Sequence, residues 1–390
     1  MPSRFLLLAL LIVLLAACTQ APAADIAALA QPTRFVTPVV VRMTATLATP
    51  GPTDTPTPTP STTPTATATA TITPTPSRTP TATPTATPVH PLSIEAMRAR
   101  TYDGGELRVE ATLPWGPGTE RFIVSYLSDG NRINALLSVP RGDPPPEGWP
   151  AVIFNHGYIP PSVYRTIEDY EAHVRDLGGH GYVVLKPDYR GHNNSEGRAT
   201  GGYGTPDYTV DVLNALAALR KYPGVDPERI GMWGHSMGGQ VTLRAMVVDP
   251  GIKAGVIWAG VIAPYHYLVD YWRRPGATPT PDPTRRAFSW RWQLFDTYGT
   301  PAENPAFWAS ISPNSYLADL GGPLQLHHGT LDESVPYEMS EIVYEQMAAA
   351  NRLAFLYLYE NDDHNFTFYY GQAIERTIVF FDQYVKNSGQ

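Results

Sequence analysis

From His90 onward, polar and apolar positions fall into two alternating patterns. Phe122–Leu127 and Ile133–Val139 are rich in β-branched and aromatic residues, and the turn-forming Ser128-Asp129-Gly130-Asn131-Arg132 lies between them, so an antiparallel hairpin is expected. Short, largely apolar runs follow at Ala151–Phe154, Tyr182–Leu185, Arg229–Trp233, Ala254–Trp258, Leu324–Leu326 and Ala354–Tyr359. Such runs suit strands buried on both faces of a sheet. Between them, apolar residues recur every three or four positions: Ile167, Tyr170, Val174 and Leu177; Val212, Leu216 and Leu219; Val241, Ala245 and Val248; Ile342, Val343 and Met347; Ile374, Ile378, Phe381 and Val385. That spacing predicts helices with one apolar face. An antiparallel start followed by β-α alternation predicts an α/β domain over residues 90–388, with a mostly parallel sheet covered by helices on both faces.

One stretch breaks the alternation. Pro264–Tyr316 holds 12 aromatic residues in 53, including Trp272, Trp290, Trp292 and Trp308, with Arg273, Arg274, Arg285, Arg286 and Arg291 among them. It is too long for an ordinary loop and is expected to be an insertion with helices of its own.

The first 88 residues read differently. Arg4 precedes thirteen apolar residues, Phe5 to Ala17, too few to cross roughly 30 Å of hydrocarbon. Residues 1–17 are therefore expected to be a secretory signal peptide. Leu15-Ala16-Ala17-Cys18 resembles the bacterial lipoprotein lipobox, which implies lipid attachment at Cys18 and a mature chain anchored to the outer face of a bacterial membrane. Residues 18–48 would be a tether. From Thr49 to Pro88, 29 of 40 residues are Thr or Pro, a composition that forms neither helix nor sheet and predicts an extended, solvated linker.

Charge and cysteine usage exclude several classes. The 390-residue chain carries a formal charge of −8 without a Lys/Arg run, which argues against a nucleic-acid partner. Cys18 is the only cysteine, so a disulfide framework and a thiolate zinc site are both excluded. No H-E-x-x-H or carboxylate-rich metal loop occurs, and neither metal nor cofactor is expected.

The chemistry centres on Gly234-His235-Ser236-Met237-Gly238, a G-x-S-x-G pattern after an expected strand and before an expected helix. That setting is the one a nucleophile elbow requires, with small residues where helix and strand approach closely. A serine hydroxyl needs a base, and the base needs an orienting carboxylate. His364 follows the last strand and Asp332 the one before, giving the order Ser236, Asp332, His364 with all three at one sheet edge. Asp362 or Asp363 is an alternative orienter. Asp188 is expected to be structural, His156 and His235 to fix loops, and His327 and His328 to pack at a strand end. The backbone N–H of Met237 would donate to an oxyanion. Phe154-Asn155-His156-Gly157-Tyr158 resembles the oxyanion loop of α/β-hydrolases, which implies a second donor at the Tyr158 N–H. The insertion is expected to form a lid over Ser236, with Trp290 and Trp292 contacting substrate and its arginines pairing with a substrate carboxylate.

Residues from about Arg121 to Lys386 resemble the catalytic domain of the prolyl-oligopeptidase family of serine peptidases and its α/β-hydrolase relatives. The resemblance is carried by Asn155-His156-Gly157, Asp188-Tyr189-Arg190-Gly191, Gly234-His235-Ser236-Met237-Gly238-Gly239 and His328-Gly329-Thr330-Leu331-Asp332-Glu333-Ser334-Val335-Pro336. It implies the α/β-hydrolase fold, a triad of Ser236, Asp332 and His364, and an oligopeptide or small-molecule ester as substrate. Many members carry a β-propeller before this domain, and the roughly 60 residues from His90 to Trp149 are too few to build one. A carboxylesterase acting on polyesters or lipids shares the same chemistry, while a surface-tethered module without catalysis is the competing class.

Overall fold

Among the described residues the sheet comprises the two-residue strand Val40–Val41 and nine longer strands, β1 to β9: Arg108–Thr112, Thr119–Ser128, Asn131–Pro140, Trp149–Asn155, Val183–Pro187, Val225–His235, Gly255–Trp258, Leu324–Gly329 and Ala354–Tyr359. The computed structural model describes Val40–Val41 and residues 90–272 and 289–388. Segment 1–17, Cys18, the 49–88 tract and Arg273, Arg274, Arg285 and Arg286 lie outside the described residues, as does the expected tether except Val40–Val41, which pairs antiparallel with β9.

The spatial order is β9-β8-β7-β6-β4-β5-β3-β2-β1. The strands from β4 to β9 run parallel, whereas β1, β2 and β3 pair antiparallel and β3 joins the rest antiparallel through β5. This is the α/β-hydrolase fold. The expected hairpin is β2–β3, in which Ser128 pairs with Asn131 and only Asp129 and Gly130 make the turn, both with positive φ. The expected strands carry over, each extended by a few residues except the last, which is unchanged, and the runs at Tyr182 and Ala254, which each start one residue later.

Two local expectations change. Strand β1 lay outside the sequence pattern because every residue in it is exposed at the sheet edge. The helix expected from Ile167 is α2, Glu171–Gly179, which begins only after Tyr170, itself left-handed with φ 62°. The chain from Ile167 to Tyr170 is thus a loop whose apolar spacing serves packing.

The remaining α-helices among the described residues are α1 (Ile94–Arg98), α3 (Asp207–Leu219), α4 (Met237–Val248), α5 (Tyr265–Asp270), α6 (Trp290–Tyr298), α7 (Pro305–Ile311), α8 (Glu338–Ala349) and α9 (Tyr370–Phe381). Every residue of α4 is buried, because it lies between the sheet and neighbouring elements. The insertion does have its own helices, α5 to α7, and a small core of Tyr265, Val269, Leu294, Phe307, Trp308 and Ile311.

Candidate active site

Strand β6 turns into α4 through Ser236, whose φ of 54° and ψ of −117° place it in a region that L-residues seldom occupy. The turn is tight enough that a Cβ on Gly238 would sit 2.0 Å from the Asn155 carbonyl oxygen, and one on Gly234 would sit 2.3 Å from the Gly238 carbonyl oxygen. Only glycine fits at either position. The turn holds Ser236 at the carboxyl end of β6, with the Met237 N–H at the first position of α4.

Strand β8 delivers Asp332, and the loop after β9 delivers His364. The His364 Nδ1–H donates to Asp332 Oδ2 at 2.7 Å. Asp332 is pinned by three further donors: the His328 Nε2–H to Oδ2 at 3.1 Å, and the backbone N–H groups of Ser334 and Val335 to Oδ1 at 2.8 and 2.9 Å. Burial by itself would raise the Asp332 pKa, but the hydrogen bonds from His328 and His364 outweigh it and hold the carboxyl well below the usual range. Those hydrogen bonds favour the carboxylate form.

His328 corrects the expectation of simple strand-end packing. Its Nδ1 accepts from the Ser340 hydroxyl at 2.7 Å, which fixes the proton on Nε2, the atom facing Asp332. The pattern of apolar runs could not reveal this, since His328 looks like the end of a buried strand. Asp362 and Asp363 do not orient His364. Asp362 accepts from the N–H groups of Asp363, Phe368 and Tyr369, and Asp363 from those of Asn365 and Thr367, so both fold the loop that carries the histidine.

His156 and His235 fix loops. His156 is stacked between Tyr164 and Tyr189, with ring centroids 4.2 Å away on each side, and its Nδ1–H donates to the Gly157 carbonyl at 2.7 Å. His235 lies with its ring 4.6 Å from that of His364 and its Nε2 2.8 Å from the His364 carbonyl. Asp188 is buried and accepts from the Thr166 hydroxyl at 2.6 Å, away from Ser236.

Ser236 and His364 open on one cavity of about 350 Å³. Gly157, Tyr158 and Ile159 line one side, and Trp258, Phe366, Tyr170 and His173 form an aromatic wall, with Asp169 as the carboxylate among the described lining residues. His173 was not foreseen. It sits among the rings of Phe154, Tyr170, Trp233, Trp258 and Tyr370, and burial lowers its pKa to about 3, so the cavity meets a neutral imidazole. Among the described residues no group holds the Ser236 hydroxyl or His364 Nε2. In unliganded hydrolases that contact commonly tightens only with substrate.

The tryptophans expected to touch substrate are placed elsewhere. Trp290 packs on Tyr203 and Tyr265 with its Cβ against Gly204, and Trp292 meets Phe295 edge-on, so neither lines the cavity. Arg291 donates to the Leu268 and Trp272 carbonyls at 2.9 and 3.0 Å. Trp290 ties the insertion to the domain at Tyr203 and Gly204, whereas these contacts of Arg291 and Trp292 lie within the insertion itself. Trp272 also braces the site from behind, its Nε1–H donating to the Ser334 carbonyl at 3.0 Å beside Asp332.

Against known proteins, the profile of the prolyl oligopeptidase family matches residues 169–388. The chain belongs to that family. It is a serine hydrolase. An uncharacterised peptidase of Bacillus subtilis, YtmA, is 24% identical over 275 residues, covering 68% of this chain and 93% of that protein. Among solved structures, acylaminoacyl peptidase of Pyrococcus horikoshii is similar with a TM-score of 0.53 at 23% identity, over 70% of this chain and 43% of that one. An acetyl xylan esterase from Paenibacillus sp. R4 is similar with a TM-score of 0.57 at 18% identity, over 75% of this chain and 92% of that one. This family member thus spans less than half the length of the solved peptidase and nearly all of the esterase.

Histidines that the fold keeps neutral are expected to make this family member acid-sensitive. His156, His173, His235 and His327 all have pKa values lowered by burial, whereas in the unfolded chain each would take up a proton near pH 6.5. Their contribution is complete above that pH and is lost as pH falls, because only the unfolded chain protonates. Asp188 and Asp211, whose carboxyls are pushed up by burial, act in the opposite sense and offset part of it. The Tm at pH 4.5 is expected to lie about 5 °C or more below that at pH 7. A flat Tm across that interval in differential scanning fluorimetry would contradict the assignment.

Proposed function

We propose that the chain hydrolyses a peptide or ester acyl bond through an acyl-enzyme on Ser236, with His364 as base and Asp332 as its orienter. The observation that carries this is the 2.7 Å His364–Asp332 hydrogen bond on the cavity that Ser236 shares. His364 takes the serine proton as Oγ attacks, then returns it to the leaving group. The N–H groups of Met237 and Tyr158 stabilise the oxyanion; Tyr158 lines the cavity and Met237 follows the nucleophile. The substrate is an oligopeptide or a small ester. An aromatic wall with one carboxylate favours apolar, neutral or cationic groups beside the reacting carbonyl and disfavours acidic ones.

Family membership favours the peptidase reading. A carboxylesterase is the second reading, favoured by the coverage of nearly the whole acetyl xylan esterase. Labelling by a fluorophosphonate probe tests the acyl-transfer chemistry. Comparing kcat/KM for aminoacyl p-nitroanilides with p-nitrophenyl esters then separates the two readings: anilide turnover supports a peptidase, and ester turnover alone supports an esterase. Location outside the cell, with a lipid on Cys18, belongs to the same proposal and rests on residues 4–18.

A further inference from the structure

The loop that carries the oxyanion donor and the loop that carries the base come from distant parts of the chain, yet one line of hydrogen bonds joins them. The Gly157 N–H donates to the Tyr170 hydroxyl oxygen at 3.0 Å. The Tyr170 hydroxyl lies 2.8 Å from His235 Nδ1, and His235 Nε2 lies 2.8 Å from the His364 carbonyl oxygen. The protons along this line are determined by the end groups. A carbonyl only accepts, so His235 carries its proton on Nε2 and presents a bare Nδ1, to which the Tyr170 O–H donates.

Three features show that the line is built in. Tyr170 is held at φ 62°, a conformation that a bulky residue adopts only when its surroundings impose it. Its ring is fixed against Phe154 and His173, with centroids 5.4 and 5.5 Å away. Gly157 has no side chain where one would collide, since a Cβ there would lie 2.7 Å from the Tyr170 hydroxyl and 3.0 Å from His235 Nδ1. Tyr170 is half-buried on the cavity wall and His235 is buried, and desolvation keeps each neutral.

We infer that Tyr170 and His235 are positioning residues: a strut that sets the distance between the Tyr158 N–H and the ring of His364. The inference rests on the proposed roles of those two groups. Oxyanion stabilisation and proton transfer must act on one carbonyl at the same instant, so a small error in the separation of the two loops lowers the chemical rate while leaving ground-state binding nearly intact. The strut also explains why position 235, next to the nucleophile, is a histidine: the residue there needs an acceptor toward Tyr170 and a donor toward His364, and the two nitrogens of one imidazole ring supply both.

The test uses the full chain with a p-nitrophenyl ester or aminoacyl anilide that the native protein turns over. Tyr170→Phe keeps the ring and removes the hydroxyl, and it is expected to lower kcat about 10- to 100-fold with KM changed less than about threefold. The rate of fluorophosphonate labelling should fall with kcat. His235→Gln keeps an N–H donor of similar reach toward His364 and is expected to retain at least about tenfold more kcat than His235→Ala. A Tyr170→Phe variant with kcat within about twofold of native, or with only KM raised, overturns the strut. So does a His235→Gln variant no better than His235→Ala, and this pair decides the matter if Tyr170→Phe does not fold. If the native chain itself is not labelled at Ser236, the proposed function fails. If it is labelled and the variants match it, only the strut fails.

Discussion

Ser236→Ala is expected to lower kcat by about 10⁴- to 10⁶-fold and to abolish labelling by a fluorophosphonate, with Tm moved by no more than a few degrees. The catalytic loss follows from the proposed role of Ser236, whose Oγ would form the acyl-enzyme. Stability is retained because the Ser236 hydroxyl makes no hydrogen bond among the described residues, and alanine keeps the same Cβ in the same turn. The surviving hydrogen bonds of the elbow are backbone ones: Ser236 N–H to the Trp258 carbonyl at 2.9 Å, and the Ser236 carbonyl to the Gly239 and Val261 N–H groups. Residual turnover above the solvent rate would come from the oxyanion donors and substrate binding. A variant with near-native kcat in a p-nitrophenyl ester assay would remove Ser236 from the mechanism.

Asp332→Asn is expected to lower kcat about 10³- to 10⁴-fold, the effect of presenting His364 in the wrong tautomer. The carboxylate accepts four N–H donors, two on each oxygen. An amide offers one accepting oxygen and one donating nitrogen, so it must meet at least one pair of those donors with N–H groups. If the amide nitrogen faces His364, the imidazole shifts its proton to Nε2 and loses the lone pair that takes the serine proton. If it faces Ser334 and Val335, two backbone N–H groups lose their acceptor and the loop shifts. The contrast is with Asp362→Asn and Asp363→Asn, which should leave kcat within about tenfold because these carboxylates bond only their own loop. Equal losses in all three would refute the assignment of Asp332.

Much of this architecture is readable in the sequence, because the parallel strands are mostly buried and appear as short, largely apolar runs. Strand β1 escaped that signal, since Arg108–Thr112 lies exposed at the sheet edge and has no apolar side to show. Tyr170 has the spacing of a helical residue, yet its conformation is set by the three-dimensional neighbourhood of its hydroxyl, which local spacing does not encode. The order of Ser236, Asp332 and His364 was accessible because each follows a strand. The second partner of Asp332 was not: His328 reaches it from within the strand itself, and a histidine in an apolar run resembles packing. The aromatic residues of the insertion misled for a similar reason. Composition reports that Trp290 and Trp292 need burial or contact, and it does not report whether substrate or protein supplies it.

The backbone at Ser236 also limits which nucleophiles this scaffold could exchange. At φ 54° and ψ −117° a second substituent on Cβ would crowd the main chain, so a β-branched residue pays a steep conformational penalty there. Threonine, although it carries a hydroxyl, is therefore barred by the shape of the turn and not by its chemistry. Cysteine has the unbranched Cβ of serine and fits the same elbow. Conversion of this enzyme to a thiol hydrolase is a single sterically permitted step, whereas conversion to a threonine hydrolase would require the turn between β6 and α4 to be rebuilt.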